Sequence, residues 1–132
     1  ADSLSQLVQL FVSCRKLQSM DSFSKTDPVC ILYAKAGSHW QKLSQTEAVQ
    51  NCNDPDFTKT FELKYCFEKK QELKFSVIDE DGKGRFEVVG EAEMTIGHIM
   101  GSRALTLQAD LKAEGHEGCR GKIIVRAEPV KS

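Results

Sequence analysis

Residues 77–90 read VIDEDGKGRFEVVG and join an apolar run to a loop that contains carboxylates and glycines. Just upstream, Leu73, Phe75 and Val77 alternate with other residues, as in a strand with one buried face. Asp79 continues this alternation, so we expect its side chain to point inward at the end of the strand, between facing loops. Neighbouring carboxylates about 4 Å apart repel each other by several kcal/mol at an effective dielectric constant of about 20. The stretch therefore predicts either a cation site or an acidic hairpin tip in water.

Similar short strands are predicted along the rest of the chain. The segments are 7–14, 29–34, part of 40–49, 57–65, 73–79, 88–94, 104–108 and 122–128, with a capped helical turn at 95–101. Residues 29–34 (VCILYA) are apolar on both parities, which predicts a central strand covered on each face. Strands at near-regular spacing with almost no helix predict an all-β fold, an eight-stranded antiparallel β-sandwich.

Composition narrows the class of protein. The chain has 132 residues, 40% of them hydrophobic and 28% charged, and a formal net charge of -1, which fits one globular domain and argues against a nucleic-acid binder. The five cysteines include no CxxC pair, so we expect reduced thiols, with Cys14 and Cys30 as small core residues. No run is long enough to span a membrane and no signal-peptide pattern is present, so a cytoplasmic location is expected.

Catalytic motifs are absent from the sequence. It contains no GxSxG, no HExxH and no GxxxxGK[ST], and Gly82-x-Gly84 lacks the third glycine of a dinucleotide loop. Paired carboxylates can perform acid–base chemistry in glycosidases, but the end of a sandwich is not expected to form a deep pocket. We therefore expect a binding module rather than an enzyme.

A second acidic loop precedes the strand at 29–34. In a sandwich, loops from alternate connections meet at one end, so this loop and the loop after 73–79 are expected to face one gap. The gap would hold five carboxylates: Asp21, Asp27, Asp79, Asp81 and Glu87. Calcium takes six to eight oxygen ligands at about 2.3–2.6 Å and accepts them from separate loops, whereas magnesium demands a tighter octahedron. A site made only of carboxylates therefore favours Ca²⁺.

The ordered series of segments resembles a C2 domain, most closely the first (N-terminal) C2 domain of the copines. The matching pieces are QLFVSCRKL (9–17), MDSFSKTDPVCILY (20–33), residues 42–81, VVGEAEMTIGHIM (88–100) and GKIIVRAE (121–128). The resemblance implies calcium-dependent docking to anionic phospholipid, with the five carboxylates at the ligand positions of the family. One departure is a third loop that is shorter than in copines and ends in Glu87.

The resemblance also implies the context of the domain. Copines continue into a second C2 domain and a von Willebrand type A domain, so residues 1–132 are interpreted as a single C2 domain excised from a larger copine-like protein. Few residues precede the first strand and a strand lies at the C-terminus, which favours the second of the two circularly permuted C2 topologies (type II). We therefore expect a cytoplasmic signalling protein that moves to a membrane, in the first place the plasma membrane, when the calcium concentration rises.

Apolar and basic residues flank the predicted ligands. Phe23 and Phe86 lie near the two loop tips and are expected to enter the membrane interface, and Lys25, Lys83 and Arg85 are expected to contact anionic headgroups. The alternative is that these are isolated surface residues.

Two further alternatives remain open from the sequence. One is a calcium-independent module that keeps the fold and binds a protein partner through its sheet face or loops. The other is that the lysines at positions 69, 70 and 74 form a phosphoinositide-binding patch, although we interpret them as a solvated strand face.

Overall fold

The computed structural model describes residues 4–19, 24–80 and 84–131. In this part of the chain, eight strands form two four-stranded antiparallel sheets. The strands are β1 (Ser5–Arg15), β2 (Pro28–Ala36), β3 (His39–Gln45), β4 (Phe61–Cys66), β5 (Glu72–Glu80), β6 (Phe86–Thr95), β7 (Thr106–Asp110) and β8 (Lys122–Pro129). The predicted all-β sandwich is confirmed.

The two sheets are ordered β4-β1-β8-β7 and β3-β2-β5-β6. Alternation along each strand places one set of side chains between the sheets. In β1 this set is Val8, Leu10, Val12 and Cys14, and in β5 it is Leu73, Phe75 and Val77, all of them buried in one core. Asp79 follows Val77 on the same parity, as the sequence predicted, at the end of β5.

The second sheet also buries part of its outer face. Val29, Ile31 and Ile78 pack together there with Tyr33 against them, so β2 is covered on both faces as predicted. Farther along this face, the Lys74 ammonium lies 5.1 Å from the ring centres of both Tyr33 and Trp40. Lys74 therefore makes cation–π contacts with two aromatic rings and is not surrounded by water alone.

Two strand boundaries differ from the sequence prediction. Phe57 was placed on the fourth strand, but β4 begins only at Phe61, and Phe57 packs into the core from the preceding loop. The strand predicted to begin at Ala104 begins at Thr106, because Ala104 and Leu105 adopt positive φ angles of 55° and 51° within a short 3₁₀ helix (Arg103–Leu105). Such a conformation cannot continue a β ladder.

Other local predictions are confirmed. Helix α1 (Ile96–Met100) is the expected capped turn, and the Thr95 side chain accepts a hydrogen bond from the His98 backbone N–H at its start. Cys14 and Cys30 are fully buried free thiols. Burial raises the pKa of Cys14 to about 12, against the smaller opposing effect of Arg15, so this thiol is an unreactive core group. Among the described residues, no helix has the length and apolar character needed to span a bilayer.

Candidate functional site

Three neighbouring strands bring predicted ligands to one end of the second sheet. Asp27 immediately precedes β2, Asp79 is the penultimate residue of β5, and Glu87 is the second residue of β6. The strands are antiparallel and in register, with Pro28 opposite Asp79 and Asp79 opposite Glu87. The sheet itself therefore gathers these three carboxylates, which are far apart in sequence.

Hydrogen bonds fix Asp27 and Asp79 relative to each other. The Asp27 backbone N–H donates to Oδ1 of Asp79 over 3.0 Å, and the Glu80 backbone N–H donates to the Asp27 carbonyl over 3.2 Å. Asp27 Oδ1 in turn accepts from the Asn51 backbone N–H over 2.6 Å. Both carboxylates are half-buried. Each has one oxygen engaged by a backbone N–H, which fixes the orientation of the carboxylate.

Glu87 completes the row. Opposite residues in an antiparallel pair place their Cβ atoms about 4.5–5.5 Å apart, so Glu87 and Asp79 are side by side on one face. Glu87 is exposed and carries a longer side chain than aspartate. It is therefore the most adaptable of the three carboxylates.

The predicted membrane-contacting residues that the structure describes lie at this same end. Phe86 is 60% exposed and faces Glu80 across the β5–β6 ladder. Lys25 and Arg85 are exposed on the two flanking loops. Four of the predicted site residues, Asp21, Phe23, Asp81 and Lys83, lie outside the described residues. The roles of all the predicted site residues stay predictions.

The described carboxylates do not by themselves form a metal cluster. Within residues 4–19, 24–80 and 84–131, no three His, Cys, Asp or Glu side chains are grouped closely enough to hold an ion. The donor chemistry of Asp27, Asp79 and Glu87 still suits a hard cation, since all three offer only oxygen. Three ion pairs, Arg15–Asp56, Lys122–Asp110 and Arg126–Glu128, lie elsewhere in the described part of the chain.

The loop between β3 and β4 (residues 46–60) supports the site, a role that the sequence did not predict. Asn53 Oδ1 accepts the Thr26 backbone N–H over 2.9 Å, and the Cys52 backbone N–H donates to the Thr26 carbonyl over 2.7 Å. Thr26 is completely buried. Asn51 adds a bond from the Lys25 backbone N–H to its Oδ1, over 3.1 Å. Residues 51–53 therefore hold the loop that carries Asp27, and the only sequence signal was a turn-forming cluster.

Glu47 anchors the other end of the β3–β4 loop. Its carboxylate accepts hydrogen bonds from the Thr58 hydroxyl, the Thr58 backbone N–H and the Lys59 backbone N–H, over 2.5, 2.7 and 3.1 Å. Burial raises the pKa of this carboxyl, but the hydrogen bonds together outweigh burial and lower the pKa to about 2. Glu47 is thus ionised at neutral pH and closes the loop at its base.

The sequence profile of the C2 domain matches residues 5–111. The chain belongs to the C2 domain family. A curated relative, Copine-E from Dictyostelium discoideum, is 33% identical over 131 residues, which cover 94% of this chain and 22% of Copine-E. The predicted copine-like C2 domain is thereby confirmed, and the chain spans about a fifth of that relative's length.

Solved structures agree on the fold. A C2 domain of plant Extended Synaptotagmin 1 superposes with a TM-score of 0.72 at 18% identity, covering 96% of this chain and 97% of that one. Human GIVD cytosolic phospholipase A2 gives a TM-score of 0.69 at 18% identity, covering 98% of this chain but only 17% of the enzyme. C2 domains are non-catalytic binding modules, typically associated with lipid membranes and commonly with Ca²⁺.

Proposed function

We propose that this C2 domain binds anionic phospholipid in a calcium-dependent manner. Asp27, Asp79 and Glu87, with Asp21 and Asp81, would hold Ca²⁺. The observation that carries the proposal is the row of three acidic residues on adjacent strand ends, in which the Asp27 backbone N–H donates to the Asp79 carboxylate. Family membership supports the same function.

The arrangement suits a switch that acts through charge. Clustered carboxylates at the mouth of the sandwich repel an anionic membrane, and this repulsion falls when a divalent cation neutralises them. The ion supplies positive charge that both the protein and the lipid phosphates can share. Because separate loops provide only part of the shell, we expect a modest affinity, on the order of 10⁻⁵ to 10⁻³ M, until lipid oxygens contribute.

Exposed residues around the acids would hold the docked domain. Phe86, 60% exposed, would enter the interface, and full burial of such a side chain contributes roughly 1.5–3 kcal/mol. Lys25 and Arg85 would each contribute about 1 kcal/mol near anionic headgroups. Phe23 and Lys83 are proposed to act in the same way.

This function implies a context for the domain. We propose a module of a larger copine-like protein that resides in the cytoplasm and moves to a membrane, such as the plasma membrane, when calcium rises. The domain would perform no catalysis and would not bind nucleic acid. Protein partners are compatible with this role.

Thermal unfolding with and without calcium tests the ion-binding step. An ion that binds only the folded state raises the midpoint, so we expect an increase in millimolar Ca²⁺ and a smaller one in equal Mg²⁺. Asp79→Asn should abolish the increase. Glu68→Gln, an exposed acid in the turn after β4 at the opposite end, is the matched control and should retain it. Equal midpoints with and without Ca²⁺ would exclude the proposed site.

A further inference from the structure

A pocket of about 310 Å³ lies between the edges of the two sheets, at the end of the sandwich opposite to the carboxylates. Its floor is apolar and is formed by Leu43, Leu63, Leu73 and Ile96. Leu43 is 43% exposed, while Leu73 and Ile96 are almost fully buried. The volume is at the lower limit of ligand pockets, which measure about 300–1,000 Å³, and matches a single bulky side chain rather than an extended lipid tail.

Lysines surround this floor. Lys35, Lys64, Lys69 and Lys70 line the pocket together with one acid, Glu72. The whole chain has a formal net charge of -1, so four lysines against one glutamate is a local excess of positive charge. A pocket with an apolar floor and a cationic rim is complementary to an apolar group flanked by anions.

The wall of the pocket is held in place by one side chain. Gln71 Nε2 donates to the Lys64 carbonyl over 2.8 Å, and Gln71 Oε1 accepts from the Cys66 backbone N–H over 2.8 Å. The Ile96 backbone N–H donates to the Gln71 carbonyl over 3.1 Å. The turn that carries Lys69 and Lys70 is therefore fixed to β4 and to the start of α1, which reduces the entropy lost on binding.

Two sheet edges flank the pocket. β3 is the last strand of its sheet and pairs only with β2, and β4 is the last strand of the other sheet and pairs only with β1, among the described strands. An edge strand presents unpaired backbone groups to which an extended peptide can add. On the β4 edge, the Gln71 side chain already bonds the Lys64 carbonyl and the Cys66 N–H, so a peptide that passes over the opening would add to the β3 edge.

We propose that this pocket binds an acidic, extended segment of a partner protein. One bulky apolar side chain of the segment occupies the floor, and carboxylates on either side contact the lysine rim. A peptide fits better than a phospholipid, because a headgroup offers nothing apolar to cover the floor. The site is independent of the calcium proposal, since Leu73 and Asp79 are six residues apart on one strand, about 20 Å.

The test uses the intact 132-residue chain, labelled with ¹⁵N, in a heteronuclear NMR titration. The probe is the blocked pentapeptide Asp-Glu-Phe-Asp-Glu, and the matched probes replace its Phe by Ser or its acids by Lys. We expect shifts confined to Leu43, residues 63–73 and Ile96, saturating at millimolar peptide and weakened by salt. We expect neither matched probe to produce them.

Variants assign the interaction to the pocket. K69Q/K70Q should weaken binding about fivefold through the loss of two exposed ion pairs. Leu43→Thr should weaken it about tenfold through the loss of apolar contact. The control variants K59Q/K112Q and Val88→Thr alter exposed residues outside the pocket and should bind normally.

Four results would overturn the proposal. The first is that no shifts appear up to a 10-fold molar excess of millimolar peptide. The second is that K69Q/K70Q and Leu43→Thr leave the shifts unchanged. The third is that the shifts lie on the Tyr33–Trp40–Lys74 face. The fourth is that the peptide does not bind, while the chain binds phosphatidylserine vesicles without calcium and K69Q/K70Q abolishes that binding. This result would show that the lysines bind lipid rather than a peptide.

Discussion

The backbone N–H of Asp27 donates a hydrogen bond to Oδ1 of Asp79 over 3.0 Å. This bond joins the residue before β2 to the end of β5, so one carboxylate positions the loop that carries another. The charge of Asp79 and its hydrogen-bond acceptor are separate properties: one substitution can remove the charge alone, and another can remove both.

Asp79→Asn keeps an acceptor for the Asp27 N–H but removes the charge. We expect the free energy of unfolding without calcium to change by less than about 0.5 kcal/mol, and the calcium-dependent increase to disappear. Asp79→Ala removes the acceptor as well and should lose about 1–3 kcal/mol without calcium. Urea unfolding of both variants measures this difference. Equal stability of the two variants would show that the hydrogen bond is not stabilising.

Asn53→Ala removes the acceptor of the Thr26 backbone N–H. Since Thr26 is completely buried, the N–H is left without a partner and the free energy of unfolding should fall by about 1–3 kcal/mol. Asn53→Asp keeps an acceptor at Oδ1 and should lose less. Urea unfolding at neutral pH checks both variants, and an unchanged midpoint for Asn53→Ala would contradict the supporting role of the β3–β4 loop.

Glu47 makes stability depend on pH. Its pKa is lowered from an ordinary value of 4.5 to about 2 on folding, so its contribution is fully present above pH 4.5 and is lost as pH falls toward 2. Glu47→Gln should therefore cost about 1 kcal/mol at pH 7, allowing for solvent screening, and progressively less toward pH 2. The measurement is urea unfolding of both proteins across this range. A difference that is the same at pH 7 and pH 2.5 would contradict the assignment.

Gly90 is buried in β6 and lies close to Leu111 and Arg120, which belong to the segment between β7 and β8. A Cβ there would be 2.8 Å from the Leu111 Cβ and 3.2 Å from the Arg120 Cβ, so Gly90→Ala should destabilise the fold by about 1–3 kcal/mol. Gly97→Ala is the control, because its nearest atoms are 3.9 and 4.0 Å away and alanine favours helix α1. Thermal unfolding compares the two, and equal midpoints would contradict the close packing.

Most of the fold was predictable because most of the strands alternate apolar and polar residues. Leu73, Phe75 and Val77 alternate strictly, and a shift by one residue would turn all of them to the wrong face. The start of β7 was not predictable, because Ala104 and Leu105 adopt positive φ angles that these residue types rarely adopt. Phe57 was misplaced for a related reason, since a loop can deliver a side chain to the core without strand geometry.

The sequence pointed to the acids of the candidate site, whose role stays a prediction, but not to their arrangement. Periodicity placed Asp79 on the inward parity, yet the register that sets it opposite Glu87 depends on pairing between strands. The roles of Asn51 and Asn53 depend on contacts across more than 20 residues of sequence, Asn53 to Thr26 among them, which no local pattern encodes. Likewise, the pocket of four lysines unites β2, β4 and the turn after β4, and the sequence showed only Lys69 and Lys70 as neighbours.

Co-sedimentation with phosphatidylserine vesicles tests the central claim most directly. The unmodified chain, Asp79→Asn and Phe86→Ser are each mixed with vesicles over a range of calcium concentrations and with excess chelator, and phosphatidylcholine vesicles serve as the neutral control. We expect the unmodified chain to pellet only with calcium and anionic lipid, Asp79→Asn to remain in the supernatant, and Phe86→Ser to require more lipid. Equal pelleting of the unmodified chain and Asp79→Asn, or pelleting that the chelator does not reverse, would contradict the account.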